Sequence, residues 1–301
     1  MSFPQILASR RFAWALFFAV PAFFSANMLV ARWNAGEIPP VALAFWRWTA
    51  TFGMLLPFVA HSLWRGREEL YRHWKSYLWL GFLGMGVCGA PVYIAGVTTT
   101  ANNIGLIYAA SPVVIVLLAR LRYGDAVAGR QLLGIALCLC GTLWIVGRGD
   151  LGSFVRLEFV AGDLLVVLAM LAWSVYSVQL KHTPTAFDAT ARLAAIVAGG
   201  VAVNLPLYAA ETLYIAAPAV DARTIATILF TALVPGVGSY LGYSIIVARL
   251  GPALASLVMY LTPLYAALLA WLVLDERLAA FHLAGMALML PGLWLGTRRA
   301  G

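Results

Sequence analysis

Apolar residues gather in runs of about 20, the length one helix needs to cross a bilayer's hydrocarbon, and short breaks bearing charge, Pro or Gly separate them. Ten runs are legible, with ends set to within a few residues: Phe12–Ala31, Val41–Ala60, Ser76–Gly96, Asn103–Leu121, Gln131–Val146, Val160–Leu180, Ala191–Ala210, Thr224–Ala248, Ala253–Leu274 and Ala280–Thr297. The fifth is short for a full span. The polar residues left over are too few to cover the surface of a water-soluble helical bundle. An all-α membrane protein of ten transmembrane helices is therefore expected, and an even number of spans puts both termini on one side.

Composition agrees: 63% of residues are hydrophobic, 11% are charged, and the mean hydropathy is +0.89. Charge then orients the spans. The N-terminal tail, alternate loops and the C-terminus hold Arg10, Arg11, Arg65, Arg67, Arg72, Lys75, Arg120, Arg122, Arg130, Lys181, Arg192, Arg249, Arg298 and Arg299, which is 14 of the 20 Lys and Arg. The opposite loops hold Arg32, Arg148, Arg156, Arg223 and Arg277. By the excess of basic residues on the inner side, both termini are expected in the cytoplasm. The net charge of +8 is thus mostly a matter of topology and does not argue for nucleic-acid binding. Met1 to Arg11 lack a convincing cleavage site, so the first run is expected to stay as a span. Cys88, Cys138 and Cys140 all fall inside runs, which argues against a disulfide framework. Cys138 and Cys140, two residues apart on a helix, point in different directions, so no metal or cofactor is expected.

The chain also repeats itself. Gly105 to Arg148 carries Ser111-Pro112, then Gly124-Asp125, Gly134, Gly141 and Arg148; Ser256 to Arg299 carries Thr262-Pro263, Asp275-Glu276, Gly285, Gly292 and Arg299, at a spacing of 151. Phe24-Ser25-Ala26-Asn27 lies opposite Trp173-Ser174-Val175-Tyr176, and Arg32 opposite Lys181, at 149; Tyr93 lies opposite Tyr243 at 150. Repeats are read before local features. Two halves are expected, residues 1–149 and 150–301, with Gly147 to Glu158 as the linker. Five spans per half is odd, so the second copy enters from the opposite side and the halves become inverted repeats about an axis in the membrane plane.

An aromatic-Ser step in spans one and six, a small-residue approach to Ser-Pro or Thr-Pro in spans four and nine, an acidic residue after those spans and paired glycines in spans five and ten together resemble the EamA-type family of the drug/metabolite transporter superfamily. The resemblance covers essentially the whole chain. Asp125 stands where the family usually carries Glu. The resemblance implies that spans one to four and six to nine surround a central path while five and ten pack at the side. Within the superfamily the chain resembles bacterial exporters of aromatic and other hydrophobic amino acids. Gly134 and Gly141, like Gly285 and Gly292, are seven apart and so share one helix face, where they let a neighbour approach.

Arg47 is the only charged side chain well inside a span. A charge there is costly and marks a functional site by default; its guanidinium can hold a carboxylate through two parallel hydrogen bonds, or it can snorkel to the interface or clamp helix carbonyls. Pro112 and Pro263 each remove a backbone donor inside a span, and broken helices line substrate paths or simply shape packing. Tyr93, Tyr108, Trp173, Tyr176, Tyr243 and Tyr260 lie in spans that the resemblance places around the path, with Asn27, Asn102, Asn103, Ser111, Gln179, Ser244 and Thr262. A cavity of such rings binds an apolar or aromatic body while its polar tips meet an amino or carboxylate end. Trp79 and Trp294 are read instead as interfacial.

No Asp or Glu falls near the middle of a run: Asp163 is near the outer end of span six, and Glu211 follows span seven. A proton-driven exchanger usually needs such a group, which leaves gated, facilitated movement as the simplest mechanism. Neither His-Glu-x-x-His nor Gly-x-Ser-x-Gly occurs, and no mid-span carboxylate pair is present, against an intramembrane enzyme. No filter-like glycine run or ring of charge points to a channel. The expectation is a multi-pass protein of the cell inner membrane, acting as a monomer on a small-molecule substrate among membrane lipid, without nucleic acid. It would export aromatic, other hydrophobic or small neutral amino acids or similar metabolites by alternating access, with multidrug efflux as the near alternative.

Overall fold

The computed structural model describes residues 9–33, 37–99, 101–150, 152, 160–274 and 279–297, all in helices, turns and short connections. The first half holds α1 (Arg10–Trp33), α2 (Pro40–Arg65), α3 (Arg67–Gly81), α4 (Ala90–Thr98), α5 (Ala101–Ala109), α6 (Ser111–Tyr123) and α7 (Gly129–Val146). The second holds α8 (Ala161–His182), α9 (Ala189–Tyr214), α10 (Ala222–Thr231), α11 (Tyr240–Leu250), α12 (Pro252–Ser256), α13 (Val258–Leu274) and α14 (Ala280–Thr297). A π-helical segment, Phe82–Val87, joins α3 to α4, and another, Ala232–Ser239, joins α10 to α11. Among the described residues, nine helical stretches are long and apolar enough to cross a membrane. They occupy the places of spans two to ten, and α1, 24 residues long, occupies that of span one. Of the landmarks read from sequence, Arg32, the Asp275-Glu276 pair, Arg298, Arg299 and most of the Gly147 to Glu158 linker lie outside the described side chains.

Large apolar side chains stay exposed on the outside, with Phe58 at 82% and Leu164 at 72% of full exposure. In water such patches would seek a partner; in a bilayer they face lipid. Helix association then rests on close packing rather than on hydrophobic burial, and the glycines show it. A Cβ on Gly134 would meet the Gly292 carbonyl oxygen at 2.5 Å, and one on Gly141 the Gly285 carbonyl oxygen at 2.6 Å. The two glycine pairs are thus one seam along which α7 and α14 lie backbone to backbone. Cys138 faces that seam, its Sγ 3.6 Å from the Met289 carbonyl oxygen, whereas Cys140 is exposed on another side.

The two halves exchange partners. Helix α1 packs on α13, α11 and the Ala232–Ser239 segment, which are spans nine and eight. Helix α8 packs on α4, α5, α6 and the Phe82–Val87 segment, spans three and four. Helix α2 pairs with α9, and α7 with α14. So the first span of each half is held by the third and fourth spans of the other, with spans five and ten together at the side.

Backbone groups that lack a partner within a helix must find one inside the protein, because hydrocarbon offers none. Glu211 does this for α2. The sequence placed it after span seven; instead α9 runs on through Tyr214, and Glu211 is buried within it. Its carboxylate accepts from the Val41 and Ala42 N–H groups at 3.0 and 2.6 Å, capping a helix whose own cap position is Pro39 and supplies no side-chain bond. Asp163, also buried, accepts from Val160 N–H at the start of α8, from Asn103 Nδ2 at 2.9 Å and from the Thr99 hydroxyl. Gly124, at φ 69°, ends α6 in the left-handed conformation that glycine adopts freely. The turn presents Asp125 to Lys181 Nζ at 2.8 Å and His182 Nε2 at 3.3 Å.

Candidate functional site

Two arrangements of residues meet where the halves cross. The first is a cluster of rings. Phe24 of α1 lies edge-on to Trp173 of α8 at 5.5 Å; Trp173 contacts Tyr243 at 4.8 Å, Tyr176 at 5.5 Å and Tyr240 at 5.6 Å; and Tyr240 in turn meets Trp48 of α2 at 4.8 Å. Four helices, two from each half, thus supply one aromatic body. All but Phe24 are buried, Trp173 at 3% and Tyr176 and Tyr243 at 0% exposure, so in this conformation the rings fill the crossing and pack against one another. Tyr243 donates to Ser177 Oγ at 3.0 Å, and Tyr240 donates to the Gly84 carbonyl at 2.7 Å.

The second is polar and adjoins the first. Asn27 lies three residues after Phe24 on α1 and so shares its face. Arg47 Nη1 donates to Asn27 Oδ1 at 3.2 Å and to the Tyr93 hydroxyl at 2.8 Å, and that hydroxyl lies 3.1 Å from Asn27 Oδ1. The Arg47 guanidinium carbon sits 4.4 Å over the Trp48 ring, a cation–π contact. Arg47 is 4% exposed, so it does not snorkel to the interface. It is tied to neighbouring side chains from spans one and three.

Other sequence candidates make different contacts. Among the described residues Tyr108 and Tyr260 make no ring contact with the cluster; Tyr108, on α5, is half-buried and packs both on the core that holds the rings and on a smaller cluster with Val166 and Met170 of α8, and Tyr260 is buried in that same core with its hydroxyl unpartnered. Ser111 is buried with an unpartnered hydroxyl at the start of α6. Asn102 stands on α5 with its side chain outside the described residues, and Asn103 serves Asp163. Gln179 accepts from Trp79 Nε1 at 2.8 Å on the exposed side of α8, so it does not face the rings; the expectation that it belongs with the path residues is corrected by that contact. Trp79 and Trp294 are exposed, at 45% and 54%. The two prolines differ. Pro112 follows a break at Ala110 and starts α6, whereas Pro263 sits within the continuous α13, and the break in span nine falls earlier, at Leu257. Thr262 is drawn into the α1 contact by its carbonyl, which accepts from Ser25 Oγ at 2.8 Å.

Sequence reasoning missed Phe24, Trp48 and Tyr240 as site residues. Their signal was present in part, since Tyr240 is three residues before Tyr243 and Trp48 adjoins Arg47. It also missed the π segments. Phe82–Val87 and the start of Ala232–Ser239 are 150 residues apart, the same register that pairs Tyr93 with Tyr243. Such segments free carbonyls and recur at functional sites. Here the Ala232 carbonyl accepts from Thr51 Oγ1 of α2 at 3.2 Å and the Met85 carbonyl from Asn204 Nδ2 of α9 at 3.3 Å. The second span of each half thus serves the π segment of the other.

A solved crystal structure aligns over 96% of this chain and 97% of its own at a TM-score of 0.75 and 20% identity, which shows a shared fold. A transporter of Archaeoglobus fulgidus, described as uncharacterized, is 25% identical over 277 residues, 92% of this chain and 94% of that protein. The uncharacterized transporter YyaM of Bacillus subtilis is 25% identical over 156 residues, about half of each chain at 52% and 51%. A protein of Escherichia coli named "Probable amino-acid metabolite efflux pump" is 22% identical over 284 residues, 90% of both chains. The model of the EamA-like transporter family matches twice, over residues 11–147 and again over 160–298, and the chain belongs to that family.

Proposed function

We propose that this membrane transporter exports amino acids, aromatic and other hydrophobic or small neutral ones, or similar small metabolites across the cell inner membrane. It does so by alternating access. The observation that carries this reading is the aromatic body at the crossing, to which α1, α2, α8 and α11 all contribute rings. A ligand placed there touches both halves, so rocking one half against the other exposes it first to one side and then to the other. The name of the Escherichia coli relative supports an amino-acid substrate.

In this reading residues 1–149 and 150–301 are inverted five-helix repeats with both termini in the cytoplasm, and one chain forms the whole pathway. Movement is facilitated, down a gradient. The buried carboxylates support this, because Glu211 and Asp163 are both engaged as helix caps and a proton taken up by either would cost those bonds.

The test is flux into proteoliposomes holding the purified chain, with labelled phenylalanine, threonine and a lipophilic cation, with and without a proton gradient. Saturable phenylalanine or threonine movement without the gradient is expected. Movement of the cation alone, or movement only with the gradient, would replace the reading with multidrug efflux.

A further inference from the structure

Among the polar groups left unsatisfied at the crossing, which include the Tyr176 hydroxyl, three are of one kind. Arg47 Nε, Trp48 Nε1 and Trp173 Nε1 are all buried and have no hydrogen-bond partner. Each is an N–H donor with no acceptor capacity. They belong to one contiguous surface, since Arg47 lies over Trp48, and Trp48 and Trp173 both contact the Tyr240 ring. Buried donors are nearly always satisfied in folded proteins, so three orphans on one surface call for an acceptor that arrives with the ligand.

The guanidinium itself is more specific still. Among the described residues, no Asp or Glu lies within salt-bridge distance of Arg47. Its bonded partners, Asn27 Oδ1 and the Tyr93 hydroxyl, are neutral, and both are taken by Nη1. The other edge of the guanidinium, Nε with Nη2, donates no hydrogen bond to a described residue. That is an edge on which a carboxylate forms two parallel bonds. A buried cation without a counter-ion is strongly disfavoured, and neutral oxygens and one ring face offset this only in part.

We infer that the Nε–Nη2 edge of Arg47 is a carboxylate subsite, with Asn27 and Tyr93 as positioning residues that hold the guanidinium from the far side. This rests on the transport reading above and narrows it. The substrate carries one carboxylate on an apolar or aromatic body, and the carboxylate rather than an ammonium group is what the site requires, because the unpartnered groups at Arg47 and Trp48 are donors and no Asp or Glu of the described residues lies within salt-bridge distance of Arg47. α-Amino acids qualify, and so do the corresponding acids without the amino group. Amines of the same shape do not.

Three compounds that share one body separate these cases: phenylalanine, 3-phenylpropionate and phenethylamine. In proteoliposomes, phenylalanine and 3-phenylpropionate are expected to compete with labelled phenylalanine within a few-fold of each other, and phenethylamine at least tenfold more weakly. Equal competition by phenethylamine would overturn the subsite while leaving an exporter in place. Direct binding decides the matter even if no flux is found. Thermal unfolding of the purified full chain in detergent should shift upward with 3-phenylpropionate, and the shift should vanish in Arg47→Gln and be reduced in Arg47→Lys, which keeps the charge but not the fork. Absence of a shift in the unaltered chain would refute the subsite. An unchanged shift in a folded Arg47→Gln protein would do the same, and the comparison of the three compounds on the unaltered chain needs no variant to fold.

Discussion

Trp173 makes four ring contacts, to Phe24, Tyr176, Tyr240 and Tyr243, as many as Tyr240 makes. Each such contact is worth about 1 kcal/mol beyond simple burial. Trp173→Ala is therefore expected to slow phenylalanine transport about tenfold while affecting alanine transport less, because only the larger substrate uses the ring. Parallel flux measurements with the two amino acids check it, and an equal loss for both would remove Trp173 as a selectivity residue. Much of this was readable in the sequence. Trp173 and Tyr176 stood in mid-span, and the register of the repeats paired them with the Phe24 segment. Phe24 itself was not legible as a partner, since an apolar residue in an apolar run looks the same whether it faces lipid or a ring. Arg47 was legible as an anomaly, and its fate was not: a long side chain in the early part of a span can reach the interface, and the contacts with Asn27 and Tyr93 are what hold it inside.

At the level of helices, two devices stand out. The glycine seam between α7 and α14 requires direct backbone contact, and a larger side chain there overpacks a tight contact, at a cost of about 1–3 kcal/mol. Gly141→Leu and Gly292→Leu should each lower the midpoint of thermal unfolding in detergent, whereas Gly53→Leu, with nothing within 4 Å of the new Cβ, should not. That each glycine pair forms a face for close approach was predictable from the seven-residue spacing; that the two faces meet each other was not. The π segments were not, because a π turn is a choice between nearly equal hydrogen-bonding schemes that the partners settle. Thr51 and Asn204 are those partners. Thr51→Val is expected to raise amide exchange in Ala232–Ser239, and Asn204→Leu in Phe82–Val87, each by about threefold to tenfold given interhelical bonds of about 0.6 to 1.5 kcal/mol in membranes. Equal effects of both variants on both segments would break the assignment.

The whole molecule is two halves holding one another, and the bond from Asp125 to Lys181 and His182 is a direct polar tie between them. Partial burial tends to raise the Asp125 carboxyl, but the hydrogen bond and charge of Lys181, with those of His182, bring it below its ordinary 3.8. The sign follows from that lowering. The tie stabilises the folded chain fully at neutral pH and is lost as pH falls below about 3.8 through the folded-state value. Both side chains are partly exposed, at 39% for Lys181 and 22% for Asp125, so salt and solvent screen the pair. Asp125→Asn should cost about 0.5 kcal/mol at pH 7 and nothing near pH 2, read as the difference between the unfolding midpoints of the two proteins across that range. A cost that persisted unchanged at low pH would assign Asp125 to its backbone turn alone.

The sequence by itself determined the class of the protein, the order of its spans, the division into two matching halves and the paired glycines of spans five and ten. These follow from the solvent and from local chain geometry: hydrocarbon demands long apolar helices, and a glycine repeat or a Gly-Asp turn acts over a few residues. Tertiary structure alone decided the exchange of partners between halves, the capping of α2 by Glu211 from another helix, and the gathering of Arg47, Asn27, Tyr93 and the rings at one crossing. Those contacts join residues as far apart as Ser25 and Thr262, separated by 237 positions. Inside a bilayer every span is apolar on most faces, so hydropathy ranks no face above another. Close packing, and the need to satisfy each buried donor and acceptor within the protein, picks which faces meet.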